Sequence, residues 1–421
     1  MSLFALQILL VGGAVQGACL ALLLATRRAN RLANRLLALL LLLVSAQSVL
    51  VAFDTRAFFL AFPHLSRVGW LLPTLFGPLI YLFTRKLTSA QPRLRPRDAR
   101  HLLPFAAVLL YLLPYYLQPA AAKMAYLNDF RAASRDDFGW LNQVINLEHV
   151  FYLALSLRAL RGHTRRMQDE FSNLTRVRLR WLGQFLLITL VTVVVGVAAF
   201  YGRKWDVAWL SDVYHFHYLG VIGLIYWIGY KALAQPALFG PVPAEAVPAP
   251  ISWPLSLSPV APVAAPAAAE PLPAVTAGPI LAALSAEPPA AEPAPKYQKS
   301  TLTEAQAEEY RAELLAYMET EKPYRQNNLT IQELAQQLGL PKHRLSQLLN
   351  EQLGKNFYDF VNEYRVREVQ RLLRDPRRAH YTTLAVAEEA GFNSKATFNA
   401  VFKKMTGLTP SEYLKQTELV V

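Results

Sequence analysis

Cysteine is nearly absent: Cys19 supplies the one thiol in 421 residues, and it sits in an apolar run. That excludes a disulfide within the chain and a thiolate zinc cluster, and it leaves the redox compartment unread. Common enzyme signatures are missing too. No HExxH, GxSxG, GxGxxG or phosphate-binding loop occurs, so no catalytic residue and no cofactor is expected. Acidic residues are scarce early in the chain: residues 1–295 hold 14 Asp/Glu against 25 Lys/Arg, whereas 296–421 hold 16 against 18. The formal charge of +13 therefore belongs mostly to the apolar half and is not a nucleic-acid footprint.

What is abundant is apolar length. Leu3–Thr26 is long enough to cross a bilayer as a helix, which takes about 20 residues. It lacks the basic start and small-residue cleavage pattern of a signal peptide. Six more segments follow: Leu36–Phe53, Val68–Phe83, Leu102–Leu117, Leu141–Leu157, Trp181–Tyr201 and Val213–Leu233. The seams after the first, third and fifth hold 17 Lys/Arg, and the alternate seams hold seven. Basic residues accumulate on the cytoplasmic side, so the N-terminus is expected outside and the C-terminus inside. Trp140, Trp181 and Trp205 near segment ends suit interfacial anchoring.

Between 236 and 299 the composition shifts to proline and alanine, with 16 of the 28 prolines in Pro236–Pro295. Proline fixes φ and removes backbone donors, so a flexible, disordered linker is expected. As a coil it spans roughly 45 Å, which sets local concentration rather than orientation. A signal would then reach the tail by pairing two chains, as a homodimer, or by cleavage.

Past residue 300 the pattern is amphipathic helix. Thr303–Gln306 and Thr330–Glu333 read as capping boxes. Leu334-Ala335 precedes Gly339, and Val386-Ala387 precedes Gly391. Each copy continues into a helix that ends at Gly354 or Gly407, so the offset is 52 or 53 residues. Alanine permits a close helix crossing, and glycine takes the left-handed turn. Two helix-turn-helix units in tandem follow, joined by the helix of Asn356–Asp375, whose Arg367, Arg371 and Arg374 form a basic stripe.

These residues, with Leu345-Ser346, Phe357, Tyr364-Arg365-Val366, Leu372-Leu373, Phe392, Phe398, Phe402-Lys403-Lys404 and Thr409-Pro410, resemble the AraC/XylS-type bacterial transcription regulators. The likeness covers about 100 residues. The layout resembles a subgroup with an N-terminal seven-helix membrane domain, on weaker grounds that include FGPLIYLFTRKL. The sugar-binding β-barrel of soluble members is absent, so sugar recognition is not carried over. The fold expected is all-α: a polytopic helical membrane domain (1–235), a Pro/Ala-rich linker (236–299) and a double helix-turn-helix domain (300–421).

By position in the motif, Lys342, His343, Arg344, Ser346 and Gln347 of the first unit, and Ser394, Lys395, Thr397 and Asn399 of the second, face the major groove of double-stranded DNA. Leu345, Leu348, Leu349, Phe398, Val401 and Phe402 pack inward, and Arg371 meets phosphate. Within the apolar half, Glu148, His149, Asp212 and His215 are costly in lipid and are candidates for sensing an unknown ligand, against a structural role. The implied function is a regulator in the inner membrane of a bacterium, coupling a membrane or extracellular signal to transcription. The alternative is a membrane receptor or transporter whose tail serves protein contacts.

Overall fold

The computed structural model describes residues 3–28, 30–89, 93–129, 139–175, 179–205, 207, 220–228, 230–231, 303–378 and 380–418. The linker, Asp212 and His215 lie outside them. Every named element is helical, as the composition leads one to expect. The first long pair is α1 (Leu3–Thr26) and α2 (Arg31–Ala52), which turn back on each other over Asn30 in the left-handed conformation. Their close approach rests on a small residue: a Cβ at Gly17 would fall 2.3 Å from Ser45 Oγ.

The third apolar segment is not one smooth rod. After α3 (Arg56–Ala61), α4 (Val68–Leu71) gives way to a tight turn at Leu72–Leu75 before α5 (Phe76–Leu87). Pro73 lacks the amide that would continue the α pattern. The fourth segment is α6 (Leu103–Tyr116), bent by 93° into α7 (Ala120–Asn128) with Pro119 as the cap of the second piece. The fifth lies inside α8 (Gly139–Glu170), 32 residues or roughly 48 Å long. Nothing in α8 is proline, so it runs unbroken, but it is not among the helices apolar enough to cross a membrane, which leaves the fifth expected span without support of that kind. The sixth is α9 (Arg180–Lys204), and of the seventh the described part is helical over 220–228.

Among the described residues four helices are long and apolar enough to cross a membrane, or five if the bent pair counts as one. A core of Leu24, Leu37, Leu41, Phe83, Phe185 and Ile225 binds α1, α2, α5 and α9 together. Trp181, expected at an interface, is instead 5% exposed, with its ring 6.2 Å from Phe83. Helix packing outcompetes the interfacial preference there. Trp140 and Trp205 are exposed.

The second set of helices begins with α10 (Glu304–Thr320), started by the Thr303–Gln306 pair, each backbone N–H donating to the other's side chain at 3.4 Å. Then come α11 (Ile331–Gln337), α12 (Lys342–Gln347), α13 (Phe357–Leu373), α14 (Thr383–Glu389), α15 (Lys395–Thr406) and α16 (Pro410–Glu418). A wider π turn, Leu348–Gln352, extends α12.

Candidate nucleic-acid interface

The two repeats close by the same hydrogen bonds. In the first, Leu340 N–H donates to Ala335 O at 2.8 Å and Gly339 N–H to Gln336 O at 3.1 Å. In the second, Phe392 N–H donates to Ala387 O at 2.9 Å and Gly391 N–H to Glu388 O at 3.0 Å. Both glycines have positive φ, +64° and +99°. This is the Schellman closure, which stops one helix and aims the next. Ala335 and Ala387 are buried at 2% and 0%, where a larger side chain would hold the crossing helices apart.

Each starting helix is also capped. Glu333 N–H donates to Thr330 Oγ1 at 3.2 Å, and Thr330 N–H to Glu333 Oε2 at 2.7 Å. Thr382 Oγ1 accepts from Ala385 N–H at 3.2 Å in the second copy. Leu345, Leu348, Leu349, Phe398, Val401 and Phe402 are all buried, so α12 and α15 turn their other faces outward.

Lys342, His343, Lys395 and Asn399 are exposed, and Arg344, Ser346, Gln347, Ser394 and Thr397 are half-buried. The Gln347 amide donates to Glu351 at 2.8 Å, which fixes its plane. Ser394 is committed locally: its Oγ accepts from Thr397 N–H at 3.1 Å and donates to Thr397 Oγ1 at 2.8 Å. It is the cap of α15.

Arg371 has a protein partner. Its Nε and Nη2 both donate to Glu368, at 2.9 Å each. Glu368 is 4% exposed and is also held by Arg325, with Lys322 3.8 Å away. The Arg371 fork, joined by Arg325, outweighs the opposing effect of burial and brings the Glu368 carboxyl down to about 2. The rest of the basic stripe is likewise engaged, Arg367 with Glu363 and Arg374 with the Tyr413 hydroxyl. All three arginines of the stripe thus have partners within the domain, while Arg367 and Arg371 keep more than half of their side chains open to solvent.

Arg365 is part of the motif's Tyr364-Arg365-Val366 run, and its role is visible only in the fold. It is 2% exposed, and each of its five N–H groups meets an acceptor. Nε donates to Tyr324 O at 2.7 Å; Nη1 to Asn362 Oδ1 at 3.3 Å and Ser172 O at 3.2 Å; Nη2 to Gln326 O at 2.7 Å and Ser172 Oγ at 3.1 Å. Burial pulls the guanidinium down to about 10, still charged at neutral pH. Gly391 leaves the space this requires, since a Cβ there would meet Tyr324 O at 2.3 Å and Arg365 Nε at 3.0 Å.

Ser172 belongs to the segment that follows α8, in the other half of the sequence. Around it, Phe171 and Thr330 form an antiparallel bridge, and Ser172 N–H and Oγ–H both donate to Leu329 O, at 3.1 and 2.7 Å. Asn362 Nδ2 donates to Ser172 O at 3.2 Å, and Asn173 Nδ2 to Asn328 Oδ1 at 3.2 Å. Lys342 Nζ lies 3.1 Å from Glu170, and Thr175 Oγ1 lies 3.4 Å from Thr397 Oγ1. No sequence pattern in FSNLT signals this fit.

Of the sensing candidates, His149 borders a cavity of about 360 Å³ that is also lined by Gln47, Asp54, Arg67, Trp70 and Asn146. Its Nδ1 lies 2.7 Å from Ile145 O. Glu148 points elsewhere, toward Gly77 and Tyr152, and its carboxylate oxygens have no hydrogen-bond partner among the described residues. The structure therefore separates Glu148 from His149.

Residues 334–416 match the family model described as a helix-turn-helix domain. The chain is 34% identical over 87 residues to the arabinose operon regulatory protein of Escherichia coli (strain K12), covering 21% of this chain and 29% of that one. It is 27% identical over 93 residues to the transcriptional regulatory protein HptR of Staphylococcus aureus (strain NCTC 8325 / PS 47), covering 22% and 35%. The chain thus spans about a third of the length of these relatives. No solved structure matches it. The C-terminal region is a helix-turn-helix domain of the AraC type.

Proposed function

We propose that this chain is a membrane-anchored, sequence-specific DNA-binding transcription regulator, seated in the inner membrane of a bacterium with its C-terminal domain in the cytoplasm. The observation that carries it is the duplicated helix-turn-helix. Two identically closed turns present α12 and α15 with polar, partly exposed outer faces over fully apolar inner ones. Recognition helices read bases from such a face, while their inner face holds them on the scaffold. With only a small positive surplus in 296–421, selectivity rests on the readers more than on bulk attraction.

The anchoring reading is supported by the outer faces of the apolar helices. Leu22, Leu110 and Val191 are 69%, 67% and 53% exposed, along helices with no charged residue at those levels. Faces this apolar and this long suit lipid. Topology reporters fused after Lys86, Arg166 and Lys231 are expected to report cytoplasm, and those near Ala133 and Lys204 the outside. A C-terminal reporter found outside would end the DNA-binding reading.

Base reading is tested on the full chain in lipid nanodiscs, against duplexes selected from a randomised pool. Gln347→Ala and Lys395→Ala are each expected to cost about 1–3 kcal/mol at the preferred site and to relax specificity there. Losses that are the same on every sequence would show that these two side chains only hold phosphate. The signal, in this reading, is a small polar molecule that enters the cavity beside His149.

A further inference from the structure

We propose that Phe171–Thr175 is an autoinhibitory clamp, by which the membrane half holds the helix-turn-helix domain off DNA, and that α8 is the rod that opens it. The inference rests on the DNA-binding reading above. Three observations carry it.

The clamp is built into the domain rather than laid against it. Ser172, Asn173 and Leu174 are 1%, 9% and 7% exposed. The hydroxyl and carbonyl of Ser172 supply two of the five acceptors around Arg365, a cation that sits between Tyr324, Gln326 and α13. The other three acceptors are intradomain, so the domain keeps most of the cradle when Ser172 leaves, and water can replace the rest. The contact is short and polar at Ser172 and Asn173, and its release also exposes the buried Leu174 side chain.

The clamp also lies where DNA must come. Lys342 and Thr397 stand in the first turns of α12 and α15, and both are touched by this one segment, through Glu170 and Thr175. Recognition helices meet base edges with their N-terminal residues. Neither first turn can enter a major groove while 170–175 stays within hydrogen-bonding distance of it.

The rod joins the clamp to the cavity. Ile145, Asn146 and His149 of α8 line the cavity, and Glu170 ends the same helix, roughly 32 Å further along. A helix shift of about 1–2 Å is the size of displacement by which packed proteins switch. At 2.7–3.2 Å, the Ser172 bonds do not survive it. This route bypasses the proline-rich linker. The expectation that the two halves communicate only through the tether, by pairing or cleavage, overlooked a contact made some 60 residues before the linker begins.

The test uses the full chain in nanodiscs, with Cys19→Ser to remove the native thiol, and Asn173→Cys with Asn328→Cys at the facing pair. A disulfide between them locks the clamp, and reduction frees it. Binding is measured to a duplex enriched from a randomised pool on a third form, Ser172→Arg, which sets a second cation against Arg365. Locking is expected to weaken binding by at least about tenfold, reduction to restore it, and Ser172→Arg to bind at least about tenfold more tightly than the unmodified chain. Equal affinity of locked and reduced chains, or a Ser172→Arg chain no tighter than the unmodified one, overturns the clamp and leaves DNA binding standing. If no form enriches any duplex, the DNA-binding reading itself falls.

Discussion

Gly391→Ala is expected to loosen the second helix-turn-helix by about 3–5 kcal/mol, whereas Gly339→Ala costs about 1–2 kcal/mol, although the two glycines hold equivalent places in the repeat. Both substitutions put a side chain on a positive φ, which is the smaller cost. Around Gly339 an added Cβ meets nothing within 4 Å. At Gly391 it would strike the Tyr324 carbonyl at 2.3 Å and the Arg325 Cα at 3.0 Å, both backbone, and crowd Arg365 Nε. Backbone yields little, so the Arg365 cradle would open and expose a buried cation. Hydrogen exchange on the full chain reads this directly: Gly391→Ala should strip protection from α14 and α15, and Gly339→Ala should leave those helices nearly as they are. Equal loss in the two variants would show that the cradle carries little of the domain's stability.

The second large effect is at Glu368. Its carboxyl titrates at about 2 when folded against an ordinary 4.5, held down first by the Arg371 fork and then by Arg325. A folded value below the unfolded one means that the contribution is full above pH 4.5 and is lost as pH falls from there toward 2. The difference is worth about 3 kcal/mol at roughly 1.4 kcal/mol per pH unit, and somewhat less because Arg371 and Arg325 are partly open to water. Glu368→Gln should therefore destabilise the domain by about 2–3 kcal/mol at neutral pH and flatten its acid limb. The check is the proteolytic susceptibility of the tail in the full chain between pH 2 and 7, wild type beside variant. An unchanged acid limb in Glu368→Gln would move the acid sensitivity to another carboxylate.

These two sites mark where sequence reading succeeded and where it stopped. The tandem repeat was legible because its signals are local. A Schellman glycine, a Thr–x–x–Glu cap and an apolar face at helical spacing each act over five residues or fewer, and all agree with one another. The exposure of Lys342 and Lys395 and the burial of Leu345 and Phe398 agree with the places that the resemblance gives them in the motif. Apolar length also sufficed to locate α1, α2 and α9, though not to foresee the break at Pro73 or the 93° bend before α7.

Periodicity also set Arg367, Arg371 and Arg374 along one side of α13, but which anions they meet was a matter of assembly. Glu368 lies on the same helix, three residues before Arg371, while Arg325 reaches it from 43 residues away. Trp181 looked interfacial by position and became core because Phe83, nearly a hundred residues earlier, packs against it. Arg365 is the clearest case. Its residue type and place were visible, yet its role depends on Ser172, 193 residues earlier, and on two carbonyls around 40 residues before it. Turns, caps and helix faces were determined by the sequence alone, since backbone hydrogen bonding and side-chain period are properties of neighbours in the chain. Which half touches which, and through which side chains, was decided only by the tertiary structure, because a buried polar group takes whatever acceptor the folded chain brings within 3 Å, and no local pattern encodes that distance.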